Sequence, residues 1–281
     1  MKLAIIGGDL RQVYAAELLV KRGHSVTAVN TVAPPKGAAL GEEPIEAART
    51  ADAVLLPIPV TGAGGVIRGT EALLPSTVLS RLQAGSLLLG GNLSAALVAS
   101  ARERGVRTVD YLNRDSFVLQ NAYLTAQAAL GILLRELPVC LYRTKIAILG
   151  FGRIGKFLAR MLHALGAEVT VFARRGSDLA MASLIGVETK TVSALEQECA
   201  LTFARAIVNT APAKLLSKAH LSHLKPNTLL LELASGSDNL PTPPEGASLR
   251  ILCAQGLPGK CFPESAGRIV ADATEEALSL L

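Results

Sequence analysis

Several features are scarce in this sequence, and each scarcity narrows the class of protein. The four cysteines show no CxxC spacing and the four histidines are scattered, so we predict neither a disulfide framework nor a metal site. Aromatic residues make up 4% of the chain and are not interleaved with a basic block. The net charge of +5 therefore fits anionic small ligands at least as well as nucleic acid, and we expect no nucleic-acid partner.

Long uninterrupted hydrophobic runs are also missing. Residues 54–67 and 87–98 are apolar stretches that proline or glycine breaks before membrane-spanning length, so we expect no membrane segment. The first residues, MKLAIIGGDLR, become charged too early for a signal peptide, and we expect a cytoplasmic protein. The chain does have 281 residues, half of them hydrophobic, which is enough for two domains or one large α/β domain.

The most informative stretch is KIAILGFGRIGKFLARMLHALGAEVTVFARR, residues 145–175. An apolar strand leads into GFGRIG, and a helix and a second strand follow. In a dinucleotide-binding fold, Gly150 permits the tight turn, Gly152 lets a pyrophosphate approach the backbone, and Gly155 lets the helix pack on the strand. The helix N-terminus supplies N–H groups for the phosphates. A tight turn that binds nothing is the alternative, and it is disfavoured because all three glycines and both flanks match.

The end of the second strand indicates which dinucleotide binds. An acid for the ribose hydroxyls, usual in NAD sites, is absent until Asp178. Arg174, Arg175 and Ser177 stand there instead, and arginine forms paired charge-assisted bonds with phosphate. We therefore predict NADP, with NAD less favoured; a solvated basic turn is the alternative. The predicted cofactor-binding residues are Gly150, Phe151, Gly152, Arg153, Ile154, Gly155, Ala173, Arg174, Arg175, Ser177, Asn209, Thr210, Ala211 and Pro212.

The N-terminal 30 residues repeat this pattern in degenerate form. Asp9 takes the place of the second glycine, and Gln12 takes the place of the third. A carboxylate repels a phosphate and caps the helix itself, so we predict the same architecture without the dinucleotide. Arg11 in this turn either brings charge to a cleft or is a solvated helix residue.

Strands and helices alternate along the whole chain. Each domain should therefore be α/β, a parallel sheet with flanking helices, and the second should be a Rossmann-type dinucleotide-binding fold. The predicted limits are residues 1–116 for a degenerate Rossmann-like domain on the substrate side, 117–137 for a spacer helix, 138–263 for the NADP-binding domain, and 264–281 for a C-terminal helix that packs back on the first domain.

Short motifs give the chain a resemblance. In IIGGDLRQ at residues 5–12 and GFGRIGKFLARMLHALGAEVTV at 150–171, it resembles the family of dipicolinate synthase A subunits from spore-forming bacteria. NTAP at 209–212, ELAS at 232–235 and GLPGK at 256–260 follow in the same order and spacing. The resemblance implies NADP-dependent oxidation of dihydrodipicolinate, or its hydrated precursor, to dipicolinate during sporulation. It also implies the flavoprotein-like B subunit of dipicolinate synthase as partner, and a homo-oligomer is compatible with it.

The sequence departs from the family pattern in three places. Residues 124–128 read LTAQA where Pro-Thr-x-Glu-Gly is usual, so Gln127 replaces a glutamate that could act as a base. GLPGK is followed by CFPESAG where Ala-Pro-Lys-Thr-Ala-Gly follows GLPG in the family, and GSDN at 236–239 replaces Arg-Pro-Gly-Gly. The nucleotide motif is thus intact, whereas the place where chemistry occurs is changed.

The implied substrate is a small dicarboxylate, which we expect between the domains and close to the nicotinamide. A planar dianion needs donors at both ends, and open α/β sheets bind ligands beyond strand C-termini. Each candidate alone also has a bland explanation as a cap, a loop residue or a solvated cation. The predicted substrate-binding residues are Arg11, Thr61, Asn92, Ser94, Asn121, Thr125 and Lys260.

No catalytic residue is assigned. Aromatising a dihydropyridine needs a hydride acceptor and the loss of one proton, which aromatic stabilisation favours, so a dedicated base is not required. This fits the lack of a histidine after Leu249, where 2-hydroxy-acid dehydrogenases would carry one; His220 and His223 are expected to be exposed. Two other functions stay open: a dehydrogenase of another small carboxylic acid, and a non-catalytic dinucleotide-binding subunit of an assembly.

Overall fold

The chain folds into two compact units, each built on its own sheet. The computed structural model describes residues 1–234 and 239–279. Met1–Asn121 and the residues from Pro258 onward form the first unit, and Ala122–Leu257 form the second. Each unit holds a six-stranded sheet whose neighbouring strands are all parallel. The predicted fold class, parallel sheets with flanking helices, is confirmed.

The bounds of the regular elements are as follows. The strands are Lys2–Ile6 (β1), Ser25–Val29 (β2), Ala39–Leu40 (β3), Ala53–Leu55 (β4), Leu87–Gly90 (β5), Arg107–Asp110 (β6), Lys145–Leu149 (β7), Glu168–Ala173 (β8), Glu188–Thr191 (β9), Ala206–Asn209 (β10), Leu229–Glu232 (β11) and Arg250–Cys253 (β12). The helices are Leu10–Lys21 (α1), Pro44–Thr50 (α2), Pro75–Leu79 (α3), Ala95–Glu103 (α4), Asp115–Glu136 (α5), Arg153–Ala164 (α6), Gly176–Leu184 (α7), Lys218–His223 (α8), Leu257–Cys261 (α9) and Pro263–Leu278 (α10). Short 3-10 turns occupy Ala63–Gly65, Tyr111–Asn113 and Val192–Glu196.

Both sheets have the same strand order. The first runs β3-β2-β1-β4-β5-β6, and the second runs β9-β8-β7-β10-β11-β12. The chain therefore reverses its direction of winding beside β1 in one sheet and beside β7 in the other. Open α/β sheets bind ligands beyond the carboxyl ends of the strands at such a reversal. In each unit this point coincides with the glycine-containing turn that the sequence singles out.

The central strands are buried on both faces, which explains their continuous apolar sequences. In β7 the residues from Ile146 to Leu149 have no exposed surface, and in β1 the residues from Leu3 to Ile6 have at most 1%. Each sheet packs its helices around a separate hydrophobic cluster, one containing Ile6 and the other Leu149. These cores fix the strand ends, and thereby the turns that follow them.

The last helix, α10, lies against α1 in the first unit. Tyr111 and Thr274 are fully buried there, and their hydroxyls are 3.0 Å apart. An ion pair joins Arg22 to Asp272, and a carboxylate oxygen of Glu275 lies 2.9 Å from His24 Nε2. The spacer role predicted for residues 117–137, and a cleft between two domains, stay predictions.

Some sequence-based expectations of structure are wrong. The short elements α2, β3, β9 and α8 were not predicted, and most of the GLPGK motif lies in a further short helix, α9. We expected every apolar run to be broken before it reached membrane-spanning length. This expectation is wrong for α5, which by length and composition alone could cross a membrane. Core helices of soluble proteins have such lengths and compositions too, and 44% of the apolar 18-residue window of α5 is buried.

Candidate dinucleotide-binding site

The turn after β7 has the geometry that its three glycines predict. Gly150 has a φ of 96°, a left-handed conformation that favours glycine, and a side chain there would meet Thr210 Oγ1 at 2.8 Å. A Cβ on Gly155 would overlap the carbonyl oxygen of Gly150, so this glycine permits close packing of α6 on β7. Gly152 caps α6 and has no atom within 4 Å of the position of a Cβ. Open space thus lies where a phosphate would approach the helix N-terminus.

A cavity of about 630 Å³ extends from this turn along the strand ends of the second unit. Its volume falls in the range of small-molecule and cofactor sites. Most of the predicted cofactor residues line it, whereas Arg153, Ile154, Gly155, Ser177 and Asn209 do not. The lining residues are Gly150, Phe151, Gly152, Phe172, Ala173, Arg174, Arg175, Asp178, Val192, Thr210, Ala211, Pro212, Ala213 and Leu215.

Positive charge gathers at the end of the cavity next to β8. Arg175 Nε donates to Asp178 Oδ2 at 2.8 Å, and Lys156 Nζ lies 3.1 Å from Asp178 Oδ1. Burial opposes ionisation of Asp178, but these two cations outweigh it and hold the pKa of its carboxyl below the ordinary value. Lys156 also lies 5.6 Å from the centre of the Phe151 ring. With Arg174 exposed beside them, the cations exceed the single carboxylate.

Glu232 is a buried carboxylate next to Asn209 for which no role was predicted from the sequence. Its carboxylate is 3% exposed and accepts from Asn209 Nδ2 and from the backbone N–H of Ala234, each at 2.7 Å. Burial raises the pKa of the Glu232 carboxyl, although both hydrogen bonds oppose the shift. A signal was available, since Asn209 and Glu232 are the polar last residues of two buried strands and are paired in register. Ser235 of the ELAS motif and residues 236–238 lie outside the described residues.

The corresponding turn of the first unit is closed to a phosphate. The N–H of Gly8, which would face the ligand, donates to the carbonyl oxygen of Arg68 at 2.5 Å. Asp9 caps α1 through the N–H of Arg11, as expected from the sequence. Gln12 fills the space beside Gly8, where a Cβ would meet its side chain at 2.6 Å. This arrangement fits the prediction that the first turn lacks the dinucleotide.

Arg11 is not a solvated helix residue, and its guanidinium has partners within the first unit. The residue is 6% exposed, and its guanidinium pairs with Asp9 at 2.8 Å and donates to the carbonyl oxygen of Ile58 at 2.5 Å. Burial would raise the pKa of the Asp9 carboxyl, but the hydrogen bonds and charge of Arg11, with a smaller effect of Arg68, hold it below the ordinary value. Gly259 backs onto this pair, since a Cβ there would lie 2.6 Å from Arg11 Nε. The guanidinium is thus committed to partners inside the unit.

Three of the predicted substrate residues come together. Thr61, Asn92 and Ser94 line one cavity of about 390 Å³ in the first unit, which Ser76 and Ser100 also line. Ser94 Oγ caps α4 by accepting from the N–H of Leu97 at 3.2 Å. The other predicted residues do not line this cavity. Thr125 is 8% exposed on α5, Asn121 is half-buried on the same helix, and Lys260 is exposed on α9 of the first unit.

The histidines are placed differently from expectation. His220 is buried, not exposed: its Nδ1 accepts from the N–H of Ser217 at 3.1 Å, and Nε2 lies 2.6 Å from the carbonyl oxygen of Leu195. These bonds anchor α8 and explain the burial of a polar ring, while His223 is exposed as predicted. Within residues 1–234 and 239–279, no three acidic, histidine or cysteine side chains form a group that could hold a metal ion.

Comparison with known proteins agrees with the two-unit description. Residues 2–112 match the family described as the N-terminal domain of the dipicolinate synthase A subunit. Residues 133–238 match the family described as D-isomer specific 2-hydroxyacid dehydrogenase, NAD binding domain. The second unit is therefore similar to a dehydrogenase-type NAD(P)-binding domain, and this similarity supports an oxidoreductase.

Relatives match along nearly the entire chain. The dipicolinate synthase A subunit of Bacillus subtilis (strain 168) is 28% identical over 292 aligned positions, covering 99% of this chain and 96% of the relative. The crystal structure of the A subunit from Bacillus halodurans matches with a TM-score of 0.84 and 26% identity, over 99% and 97% of the two chains. That of the dipicolinate synthase A chain from Bacillus subtilis matches with a TM-score of 0.81 and 26% identity, over 99% and 96%. The resemblance predicted from the sequence is confirmed.

Proposed function

Because this chain is a relative of the dipicolinate synthase A subunit over nearly its whole length, we propose that it is the dehydrogenase subunit of a dipicolinate synthase. In this proposal it oxidises dihydrodipicolinate, or its hydrated precursor, to dipicolinate during sporulation. The observation that carries the proposal is the combination of a first unit like that of the A subunit with an open glycine-rich cavity in the second. Either feature alone would fit a wider set of proteins.

The proposed cofactor is NADP. Arg174 and Arg175 line the cavity end where the 2′-phosphate of the adenosine ribose would lie. Lys156 pairs with Asp178 there, and this one carboxylate balances only part of the positive charge. Arginine suits this phosphate because its planar donors form paired charge-assisted hydrogen bonds. Gly152 and the N-terminus of α6 would hold the pyrophosphate, and Thr210 and Ala211 would border the nicotinamide half.

The proposed reaction does not require a dedicated general base in the protein. When bound, the oxidised nicotinamide would accept a hydride from the dihydropyridine while a proton leaves, giving dipicolinate, NADPH and H⁺. No histidine lines the cavity among the residues that the structure describes. The chain's own task is therefore to bind both molecules, orient the ring, and exclude competing ligands.

For the substrate we propose donors on the first unit. Thr61, Asn92 and Ser94 offer hydroxyl and amide groups in one cavity, and each end of a dicarboxylate accepts such bonds. Since Arg11 is held by Asp9, we propose the exposed Arg68 as the cation in its place. Its aliphatic portion lies along Gly62, next to Thr61. Asn121, Thr125 and Lys260 stay proposed contributors.

The flavoprotein-like B subunit of dipicolinate synthase is the proposed partner, since the relatives are named as A subunits. The cytoplasmic location expected from the sequence stays a prediction. The decisive experiment supplies freshly made dihydrodipicolinate and NADP to the purified chain, alone and with the B subunit. Reduced nicotinamide and dipicolinate are both measured, and parallel reactions contain NAD or a 2-hydroxy acid instead.

We expect dipicolinate and NADPH to appear in equal amounts, with NADP preferred over NAD. Turnover of the 2-hydroxy acid alone would favour a dehydrogenase of another small acid, as the family of the second unit suggests. Dinucleotide binding without turnover, in the presence or absence of the B subunit, would favour a non-catalytic role. Either result would overturn the proposal.

A further inference from the structure

Two polar side chains are buried side by side at the ends of adjacent strands in the second sheet. Asn209 ends β10 and is 1% exposed, and Glu232 ends β11 and is 3% exposed. The two are register partners, and Asn209 Nδ2 donates to Glu232 Oε2 at 2.7 Å. Burying a charged carboxylate is costly unless it is hydrogen-bonded, so a pair placed here requires a reason beyond packing.

The direction of every hydrogen bond in this group is fixed. Backbone N–H groups can only donate, so the N–H of Ala234 donates to Glu232 Oε1, and that of Ala211 donates to Asn209 Oδ1 at 3.2 Å. The amide oxygen of Asn209 must therefore face Ala211, and its NH₂ must face Glu232. A carboxylate, which only accepts, is the group that completes this arrangement.

The hydrogen bonds of Asn209 and Glu232 reach the wall of the dinucleotide cavity through Ala211. Ala211 and Thr210 line the cavity, and Thr210 Oγ1 donates to the carbonyl oxygens of Leu149 and Gly150 at 3.1 and 3.2 Å. A Cβ on Gly150 would meet Ala211 Cβ at 3.1 Å, so the two turns are in close contact. Glu232 itself does not line the cavity.

We propose that Glu232 and Asn209 are positioning residues that hold Thr210 and Ala211 against the glycine-rich turn, and thereby set the dinucleotide cavity. Glu232 fixes the orientation of the Asn209 amide, and this amide in turn binds the N–H of Ala211. The turn that contains Thr210 and Ala211 is thereby held in contact with Gly150. Neither side chain needs to touch the cofactor. The inference rests on the proposed function in taking NADP as the ligand.

The test exchanges the carboxylate and the amide between the two strands. Glu232→Gln places an NH₂ against the NH₂ of Asn209, and Asn209→Asp places two carboxylates together. The double exchange restores every bond, because the glutamine introduced on β11 can donate to the aspartate introduced on β10 while both backbone N–H groups keep an oxygen acceptor. Glu188→Gln is the control, an exposed glutamate of the same sheet that accepts from Thr170, pairs with Lys190 and does not line the cavity.

Calorimetric titration with NADP supplies the Kd, and circular dichroism at the same temperature reports the folded fraction. We expect each single exchange to raise the Kd of the folded protein about tenfold or more, as for an unsatisfied buried group. The double exchange should return it to within about threefold of the wild type, and Glu188→Gln should leave it unchanged. A purely structural pair would alter thermal stability without changing the Kd of folded molecules.

Folded single variants with the wild-type Kd for NADP would overturn the inference. A double exchange that does not restore the wild-type Kd would also overturn it. If the single variants do not fold, the double exchange and Thr210→Val test the inference instead. The double exchange should keep a Kd near that of the wild type, and Thr210→Val should raise the Kd. A wild-type chain that binds neither NADP nor NAD would overturn the proposed function first, and the inference with it.

Discussion

Arg174 and Arg175 follow β8 directly, and both side chains are exposed. Arg175 donates through Nε to Asp178 yet keeps 72% of its side chain exposed, and Arg174 is exposed beside it. Both line the cavity, so both can approach a phosphate on the adenosine ribose. The pairing with Asp178 holds the guanidinium of Arg175 near this position without consuming all of its donors.

Replacing both arginines with alanine should weaken NADP binding at least tenfold and change NAD binding little. One hydrogen bond to a charged group contributes roughly 1.5–3 kcal/mol, and NAD lacks the phosphate that would receive it. Calorimetric titration with each dinucleotide measures the effect, with Arg160→Ala, an exposed arginine of α6, as the control. An equal loss for both dinucleotides would contradict the assignment.

The roles that could be predicted from the sequence are those of residues whose neighbours lie close to them in the chain. The three glycines and the two arginines lie in one continuous stretch of strand, turn, helix and strand, residues 145–175, so their roles follow from local sequence. Arg11 and Glu232 could not be placed in this way. The carbonyl that Arg11 binds belongs to Ile58, 47 residues along the chain, and the partner of Glu232 is 23 residues before it. Such contacts depend on how strands align, which a single sequence leaves open.

The contact between α1 and α10 depends on one glycine. A Cβ on Gly267 would lie 2.6 Å from Tyr14 Cβ, 2.8 Å from the carbonyl oxygen of Arg11 and 3.0 Å from the N–H nitrogen of Ala15. Two of these neighbours are backbone atoms, which cannot rotate away. The helices therefore approach as closely as they do only because this position lacks a side chain.

Gly267→Ala should destabilise the protein by about 1–3 kcal/mol through overpacking. Gly131→Ala is the matched helical control: nothing lies within 4 Å of its Cβ position in α5, and alanine should stabilise by roughly 0.5–1 kcal/mol. Urea denaturation of both variants gives the free energies of unfolding. Similar values for the two would show that the close approach of α1 and α10 does not limit stability.

The long elements were predictable, whereas several short ones were not. Strands such as β7 and β10 carry apolar runs bounded by glycine or polar turns, and burial on both faces demands such runs. The edge strand β9, with sequence ETKT, is mostly polar and has no such pattern. In α9, proline and glycine disfavour a helix, but its proline is the second residue, where a missing N–H costs nothing. Tertiary contact with the Asp9–Arg11 pair, seen at Gly259, outweighs propensity there.

The chain contains the same doubly wound fold twice, and only one copy has an open phosphate turn. In the second unit, Gly152 caps α6 and faces open space, while in the first unit Asp9 caps α1 and the N–H of Gly8 is already bonded to Arg68. A carboxylate at a helix N-terminus satisfies the very donors that a phosphate would use. One substitution should therefore convert the second turn into the type of the first.

Gly152→Asp should abolish dinucleotide binding by the chain without unfolding it. The open space accommodates the side chain, and Gly152 has a φ of −72°, which any residue adopts. An aspartate at this cap should hold or slightly raise the melting temperature, since it caps a helix at least as well as glycine. Calorimetric titration of the wild type should show one NADP per chain, and the variant should show none. Binding that persists in the folded variant would contradict the assignment of the open turn at Gly152 as the site of the pyrophosphate.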